Sequence, residues 1–266
     1  MKKIDVASIA GLACAFGLIL LGNHLEGGHL HAILQPTAAL IVFGGTLGAT
    51  MVGFPLEEFV RAVKALGTFF GNTGQDSRAI LDEIVRYAQI ARREGIIALE
   101  EHVQKATDPF FKKAFLMVVD GLDSKTIAET LELELHELDE KGEIPAKVYE
   151  AAGGYCPTVG ILGAVLGLIH VMSNLSDINK VGSGIAVAFV ATIYGVGTAN
   201  IVCLPMANKL KLKHRREMVQ REMIMHGAIA IQQGENPKLI ENKLSVFAHG
   251  HDARHGATPG KAKVAA

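Results

Sequence analysis

The sequence is poor in charge and in aromatic side chains. Of its 266 residues only 20% are charged and 6% are aromatic, and tryptophan is absent. The net charge of −1 lacks the basic excess that a nucleic-acid-binding surface requires. We therefore expect no nucleic acid among its partners. The missing tryptophan also removes the usual belt of indole rings at a membrane surface.

Cysteine and catalytic motifs are scarce as well. The three cysteines, Cys14, Cys156 and Cys203, all fall inside apolar runs, which predicts small buried residues rather than disulfides or a zinc site. No Ser/His/Asp set and no cluster with metal-ligand spacing is found, and Gly44-Gly45-Thr46 lacks the lysine of a phosphate-binding loop. The sequence therefore predicts no enzyme, no bound metal and no cofactor.

Long apolar runs are what the chain does have. It is 49% hydrophobic with a mean hydropathy of +0.28. A helix needs about 20 apolar residues to cross a bilayer. Four runs qualify: Ile4–Gly22, Pro36–Phe54, Gly153–Met172 and Gly182–Met206. They predict an all-α, polytopic membrane protein with four transmembrane helices and a helical cytoplasmic domain.

Lysine and arginine predict the orientation. The link between the first two spans, Asn23–Gln35, contains neither residue, whereas Lys2, Lys3, Arg61 and Lys64 lie beside the opposite ends. Positive charge stays on the cytoplasmic side, so both termini are expected there. The predicted divisions are residues 1–55 (spans one and two), 56–149 (cytoplasmic helices), 150–206 (spans three and four), 207–248 (a C-terminal helix) and 249–266 (a disordered tail).

Small residues recur at helical spacing in the spans. Gly44 and Gly48 form a G-x-x-x-G pair in span two. Spans three and four carry further glycines: Gly160, Gly163, Gly167, Gly184 and Gly195. Such stripes let helix backbones approach closely inside a bilayer. We predict that these glycines serve helix packing.

Three polar or kinked positions stand out in the same spans. Thr192 lies near the middle of span four, where its hydroxyl can either bond back to an earlier carbonyl or face a wet pathway. Pro157 and Pro205 lie toward the cytoplasmic ends of spans three and four. A proline frees a carbonyl and permits a bend. The two prolines either flank a shared inner vestibule or mark helix ends.

No acidic residue lies deep in any span, and His170 is near the outer end of span three. A proton pathway through a bilayer usually needs a carboxylate or histidine relay. The sequence therefore predicts that another chain supplies the titrating group. The alternative is a structural membrane scaffold that conducts nothing.

Four spaced motifs carry a family resemblance. They are CPTVGILGAVLGL at 156–168, SNLSD at 173–177, AVAFVATIYG at 186–195 and LPMANKL at 204–210. In this order, over roughly residues 1–234, the chain resembles the MotA/PomA family of flagellar motor stator proteins. The related TolQ/ExbB energisers of outer-membrane processes share the last two spans but have three in all. They are the alternative that the span count disfavours.

The resemblance implies an assembly and a location. Members of the family form a homo-oligomeric ring of five around two copies of MotB, a single-span, peptidoglycan-binding subunit that supplies the membrane aspartate. The unit sits among the lipids of the bacterial inner membrane. Ion flow is expected to turn the ring, whose cytoplasmic loop acts on the rotor protein FliG.

The resemblance also implies residue roles. Pro157, Pro205 and Thr192 match the family's ion-pathway positions. Sodium-type members carry a threonine where this chain has Ala164, so an oxygen that could replace water around a sodium ion is missing. Proton coupling is therefore expected, with H⁺ as the transported ion.

A charged segment matches the family's rotor-contacting motif. Arg92 and Glu100 take the places of its arginine and glutamate. Their neighbours Arg93 and Glu101 could contact the rotor in the same way. A continuous helix would align Arg92 and Glu100 on one face, but Gly95 between them can break it. Without the resemblance, these residues read as an ordinary solvated face.

Overall fold

The computed structural model describes residues 3–72 and 76–249 and is built almost entirely of helices. The helices that precede the third span are α1 (Val6–Leu25), α2 (Leu30–Ile33), α3 (Pro36–Ala39), α4 (Gly45–Gly53), α5 (Leu56–Phe70), α6 (Ser77–Glu94), α7 (Glu100–Gln104) and α8 (Pro109–Val119). The rest are α9 (Ser124–Met172), α10 (Ile178–Gly197), α11 (Leu204–Gln232) and α12 (Pro237–His249). Four helical stretches are long and apolar enough to cross a membrane, as predicted.

The first span begins two residues later than predicted. Lys3–Ile4 forms a two-residue strand, β1, which pairs antiparallel with β2, Gly71–Asn72. Asp5 then caps α1, because its carboxylate accepts the backbone N–H of Ser8 at 3.4 Å. The Lys209 ammonium donates to the Asp5 carboxylate and to the Ser8 hydroxyl. These contacts tie down a helix in which no residue is buried.

Two of the spans are not uniform α-helices. Leu40–Gly44 joins α3 to α4, and Thr198–Cys203 joins α10 to α11, both as π-helix. A π segment widens the helix and disturbs its i to i−4 bonding. The second segment ends two residues before Pro205, which has no backbone N–H and crowds the turn before it. Nothing in the sequence near Leu40–Gly44 signals the first one.

The third span is part of one helix of 49 residues, α9, which continues through Pro145 and Pro157. The division predicted between residues 149 and 150 therefore falls inside a helix. The single C-terminal helix predicted over 207–248 is in fact two, because Gly234 has a φ of +69° and ends α11. The tail predicted over 249–266 lies outside the described residues except His249, the last residue of α12.

The chain divides into two compact units. The first comprises Met1–Thr73 and Gly142–Lys213, and it contains the four membrane segments. Its core is made of small and branched side chains: Ala38, Val42, Cys156, Val190, Ala191 and Ala199. A second cluster lies around Phe69, where Ala146, Met206 and Leu210 are buried. Small core residues suit helices whose outer faces contact lipid rather than water.

The second unit comprises Gly74–Lys141 and His214–Ala266. Its core resembles that of a soluble protein, with Tyr87, Phe111 and Phe115 packed edge-on or tilted at ring centroid distances of 4.5–5.4 Å. Ile127 and Leu131 of α9 are fully buried, as their spacing predicts. Gly227 of α11 allows close approach to α6, because a Cβ there would lie 2.7 Å from Cγ2 of Ile84.

Candidate functional site

The backbones of α9 and α10 approach closely at Gly160 and Gly195. A Cβ added to Gly195 would lie 2.7 Å from the carbonyl oxygen of Cys156 and 3.0 Å from the Cα of Gly160. A Cβ added to Gly160 would lie 2.9 Å from the carbonyl oxygen of Ala191. Because the neighbouring atoms are backbone, they cannot rotate away. These two positions require glycine at this helix separation.

A second glycine contact lies further along the same helix pair. A Cβ on Gly167 would be 2.8 Å from the carbonyl oxygen of Gly184 and 2.9 Å from the backbone nitrogen of Ala188. A Cβ on Gly184 would be 2.6 Å from Cγ2 of Val171. The two helices thus approach closely at both contacts, so contacts between helices replace contacts with lipid along this side of each.

The second span packs against this pair through a different glycine from the one the sequence suggests. A Cβ on Gly45 would lie 2.7 Å from Cγ1 of Val159, and one on Gly163 would lie 3.3 Å from Cγ2 of Ile41. At Gly44 and Gly48, by contrast, an added Cβ meets no atom of residues 3–72 and 76–249 within 4 Å. The G-x-x-x-G spacing in span two is therefore wrong as a guide to its packing within the subunit.

The polar side chains of span four find partners nearby. The Thr192 hydroxyl is half-buried and donates to the carbonyl of Ala188 at 3.2 Å. The Asn200 amide is exposed and donates to the carbonyl of Val196 at 2.9 Å. Back-bonding of this kind is the unremarkable behaviour of such residues in a helix. Neither bond holds the side chain against another helix, so both groups remain available to other partners.

Tyr194 makes the long-range polar contact of this region. Its hydroxyl donates to the carbonyl of Ile33 at 2.7 Å and accepts the N–H of Gln35 at 3.3 Å. Its ring stacks on Phe43 at 5.6 Å between centroids. Tyr194 thus satisfies the backbone groups left free where α2 ends and α3 begins, which would otherwise be costly near the membrane.

The two prolines have different surroundings. Pro157 is half-buried inside α9, whereas Pro205 is exposed at the second position of α11. Pro205 borders a cavity of about 360 Å³ between α1 and the second π segment, together with Ser8, Asn200 and Lys209. Pro157 is not among the residues that line this cavity. Ala164 is half-buried on α9 and contributes no oxygen.

One buried polar row lies on the second span and was missed by the sequence reasoning. Thr46 and Thr50 are the buried polar side chains in the part of the chain that the structure describes, at 8% and 2% exposure. The Thr50 hydroxyl donates to the Thr46 carbonyl at 2.8 Å. The Thr46 hydroxyl has no partner in the described structure. Their spacing of four residues is the only sequence signal that points to a shared face.

In the second unit, the charged segment is a turn rather than a continuous helix. Gly95 ends α6 with a φ of +90°, and Ile96–Leu99 forms a 3-10 turn before α7 begins at Glu100. Few residues other than glycine tolerate this φ. Arg92 and Glu100 therefore do not share one helix face.

The four predicted rotor-contacting residues are nevertheless all exposed. Glu101 pairs with Lys105 at 2.6 Å, and the hydrogen bond from that ammonium lowers the pKa of Glu101. Among the described residues, Arg92, Arg93 and Glu100 form no ion pair. They present both signs of charge to solvent within a short segment.

Comparison with known proteins identifies the family. The Motility protein A N-terminal model matches residues 9–95, and the model of the MotA/TolQ/ExbB proton channel family matches residues 102–223. Motility protein A of Bacillus subtilis is 33% identical over 98% of this chain and 97% of its own length. Chemotaxis protein PomA of Vibrio alginolyticus is 32% identical over 92% of this chain and 95% of its own.

Solved structures agree. A chain in the structure of C. jejuni MotAB is 30% identical and superposes with a TM-score of 0.89, covering 96% of this chain and 100% of that one. A chain of the flagellar MotAB stator complex from Bacillus subtilis gives 33% identity and a TM-score of 0.86, over 94% and 98%. This chain, an integral membrane protein and not an enzyme, belongs to the motility protein A group of the MotA/TolQ/ExbB proton channel family.

Proposed function

We propose that this chain is the ring subunit of a flagellar motor stator and forms an ion path together with a MotB-type subunit. The observation that carries the proposal is the agreement along nearly the whole chain with the stator complex of Bacillus subtilis. The match to the Motility protein A N-terminal model over residues 9–95 favours this function over a TolQ/ExbB-type energiser.

The partner supplies what the membrane helices lack. The spans hold no deep carboxylate, and the side chains of Thr192 and Asn200 in span four are bonded only within their own helix. A single-span, peptidoglycan-binding partner would bring the titratable acid, as proton relays require. Two copies inside a ring of five subunits are proposed on the family resemblance, with Thr192, Pro157 and Pro205 along the path.

We propose the bacterial inner membrane as the location, with both termini in the cytoplasm. Support comes from the lysines and arginines near the ends of the spans. Lys211 pairs with Glu150 at 2.6 Å, and Lys213 donates to the carbonyls of Thr68 and Gly71 at 2.6 Å. These lysines therefore lie where α5, α9 and α11 converge, at one end of the first unit.

We propose the proton as the transported ion. Ala164 stands where sodium-type relatives have a threonine, so the hydroxyl that could replace a water ligand of sodium is missing. A proton moves along hydrogen bonds and requires no cage of oxygens. Swimming that stops with a protonophore but persists without sodium is the expected behaviour. Sodium uptake by vesicles holding the two subunits, unaffected by collapse of the proton gradient, would refute it.

The exposed charges near Gly95 are proposed to act on the rotor protein FliG. Exposed ion pairs are worth little individually and exchange easily with water. They steer an approaching partner and favour the correct register. Arg92, Arg93, Glu100 and Glu101 thus suit a contact that must form and release repeatedly.

Complementation tests the proposal. The chain is expressed with its single-span partner in a flagellated strain that lacks stators, and swimming should be restored. Arg92→Glu or Glu100→Lys should then lower torque while the amount of protein in the membrane is unchanged. Glu241→Lys, a charge reversal at another exposed residue on α12, serves as the control. Failure of the unmodified chain to restore swimming would overturn the proposed function.

A further inference from the structure

Ile97 is the most exposed large apolar side chain of the 3-10 turn between the charged residues. It is 77% exposed and lies between Arg92 and Arg93 on one side and Glu100 and Glu101 on the other. A single exposed apolar residue is common on protein surfaces. What distinguishes Ile97 is that the turn around it is firmly held.

The neighbours of Ile97 anchor the turn to the core. Leu99 and Val103 are fully buried, and Ile96 is half-buried against the same core cluster. The N–H of Ala98 donates to the carbonyl of Gly95 at 3.2 Å, which closes the turn. With both flanks fixed, Ile97 has no low-cost way to turn inward, so the fold presents it to solvent.

An apolar centre with a charged rim is the usual anatomy of a protein contact. The rim excludes water and provides steering, whereas the buried centre provides most of the affinity. The ion pairs available here are exposed and contribute little affinity. Burial of one isoleucine side chain, by contrast, tightens a contact about tenfold or more.

We propose that Ile97 is the apolar anchor of the rotor contact, which enters an apolar recess on a partner surface rimmed by both acidic and basic groups. The inference rests on the proposed function and adds the source of affinity to it. The occupant is the rotor protein, because both signs of charge surround Ile97. A lipid surface does not fit, since Glu94, Glu100 and Glu101 balance the two arginines and Lys105, which leaves no excess of positive charge to attract anionic headgroups.

The test compares apolar and polar side chains at this position in the assembled motor. The full chain is expressed at controlled levels with its single-span partner in the stator-less strain, and engaged units are counted from torque steps on a tethered bead. Ile97→Asn should raise the expression level needed for half-maximal engagement about tenfold. Ile97→Val keeps most of the apolar surface and should raise this level only a few-fold at most. Val246→Asn, at a β-branched residue on α12 with 73% exposure, is the matched control.

Each outcome decides the question. Loss of engagement in Ile97→Asn alone supports the anchor, provided that membrane levels and the subunit ring are unchanged. If Ile97→Asn reduces the amount of folded protein, Ile97→Thr is compared with Ile97→Val in its place. Normal engagement of Ile97→Asn, while Arg92→Glu is impaired, overturns the anchor and leaves the stator function standing. Disassembly of the subunit ring by Ile97→Asn would instead assign the residue to a contact between copies and also overturn it. If the unmodified chain drives no rotation, the proposed function fails and the anchor with it.

Discussion

Replacing Gly195 with alanine probes a close backbone contact between α9 and α10. The new Cβ would lie 2.7 Å from the Cys156 carbonyl oxygen and 3.0 Å from the Cα of Gly160, so the helices must separate by some tenths of an ångström. Overpacking of this kind costs about 1–3 kcal/mol, toward the upper end here because both neighbours are backbone atoms. Alanine recovers about 1 kcal/mol through its helix propensity. The net loss expected is about 2 kcal/mol.

Gly197 provides a control two residues away on α10. An added Cβ there meets no atom of the described residues within 4 Å, so Gly197→Ala should leave stability unchanged or raise it by up to about 1 kcal/mol. Cys14 is exposed, contrary to the expectation of three buried cysteines, and is replaced by serine in every variant of this assay. Thermal unfolding in detergent can then be followed with a thiol-reactive dye, since Cys156 and Cys203 are buried and become reactive on unfolding. Gly195→Ala should melt about 5 °C lower than the unmodified chain. If it melts at or above the temperature of the unmodified chain, the close approach of the two helices is wrong.

Three further predictions concern other sites. The Lys209 ammonium, through its hydrogen bond, lowers the pKa of Asp5 below its ordinary 3.8, so the pair stabilises the fold above that pH and its contribution is lost as the pH falls through the lowered pKa. Asp5→Asn should therefore melt lower than the unmodified chain at pH 7, with the gap closing below pH 3.8; a gap that is constant with pH would argue against the ion pair. Thr46→Val removes a buried hydroxyl without a partner in the described structure and should be neutral or stabilise the chain by up to about 1 kcal/mol in the same melt, whereas a clear loss would mean that the hydroxyl binds something. Gly95→Ala places a side chain at a φ of +90° and should cost about 1–3 kcal/mol in chemical unfolding, while Gly67→Ala, in open space on α5, should not; equal effects would contradict the strain.

The membrane architecture follows from the sequence because it depends on length and hydropathy. A bilayer core of about 30 Å demands about 20 apolar residues whatever the neighbours are. The four runs therefore appear in the structure as helices, with ends that shift by a few residues. The start of α1 moved because Asp5 caps the helix and β1 pairs with β2, and both contacts depend on residues distant in sequence.

The sequence predicted only some of the glycines that make contacts between helices. Gly160 and Gly195 lie in the stripes that the sequence shows, but so do Gly44 and Gly48, which face open space within the subunit. Spacing places residues on one face of a helix without saying which face meets a neighbour. Gly45, next to Gly44, makes the contact because the packing of three helices orients it toward Val159.

In the charged turn, too, the sequence indicated the segment but not the contact that each residue makes. The sequence alone indicated one polar segment that contains Arg92, Arg93, Glu100 and Glu101. It also indicated that Gly95 can interrupt the helix there. It did not distinguish Ile97 from Ile96, since adjacent isoleucines are equivalent until one of them meets the core.

Hydropathy, charge placement and spaced motifs by themselves determined that this chain crosses a membrane four times and belongs with the stator proteins. Those properties are local, and each is read from a short window of residues. The tertiary structure alone decided where the helices touch, which glycines are indispensable, where the π segments fall and which isoleucine faces solvent. Each of these features depends on contacts with a second helix. The position of that helix is determined by packing over many residues and cannot be read from a short window of sequence.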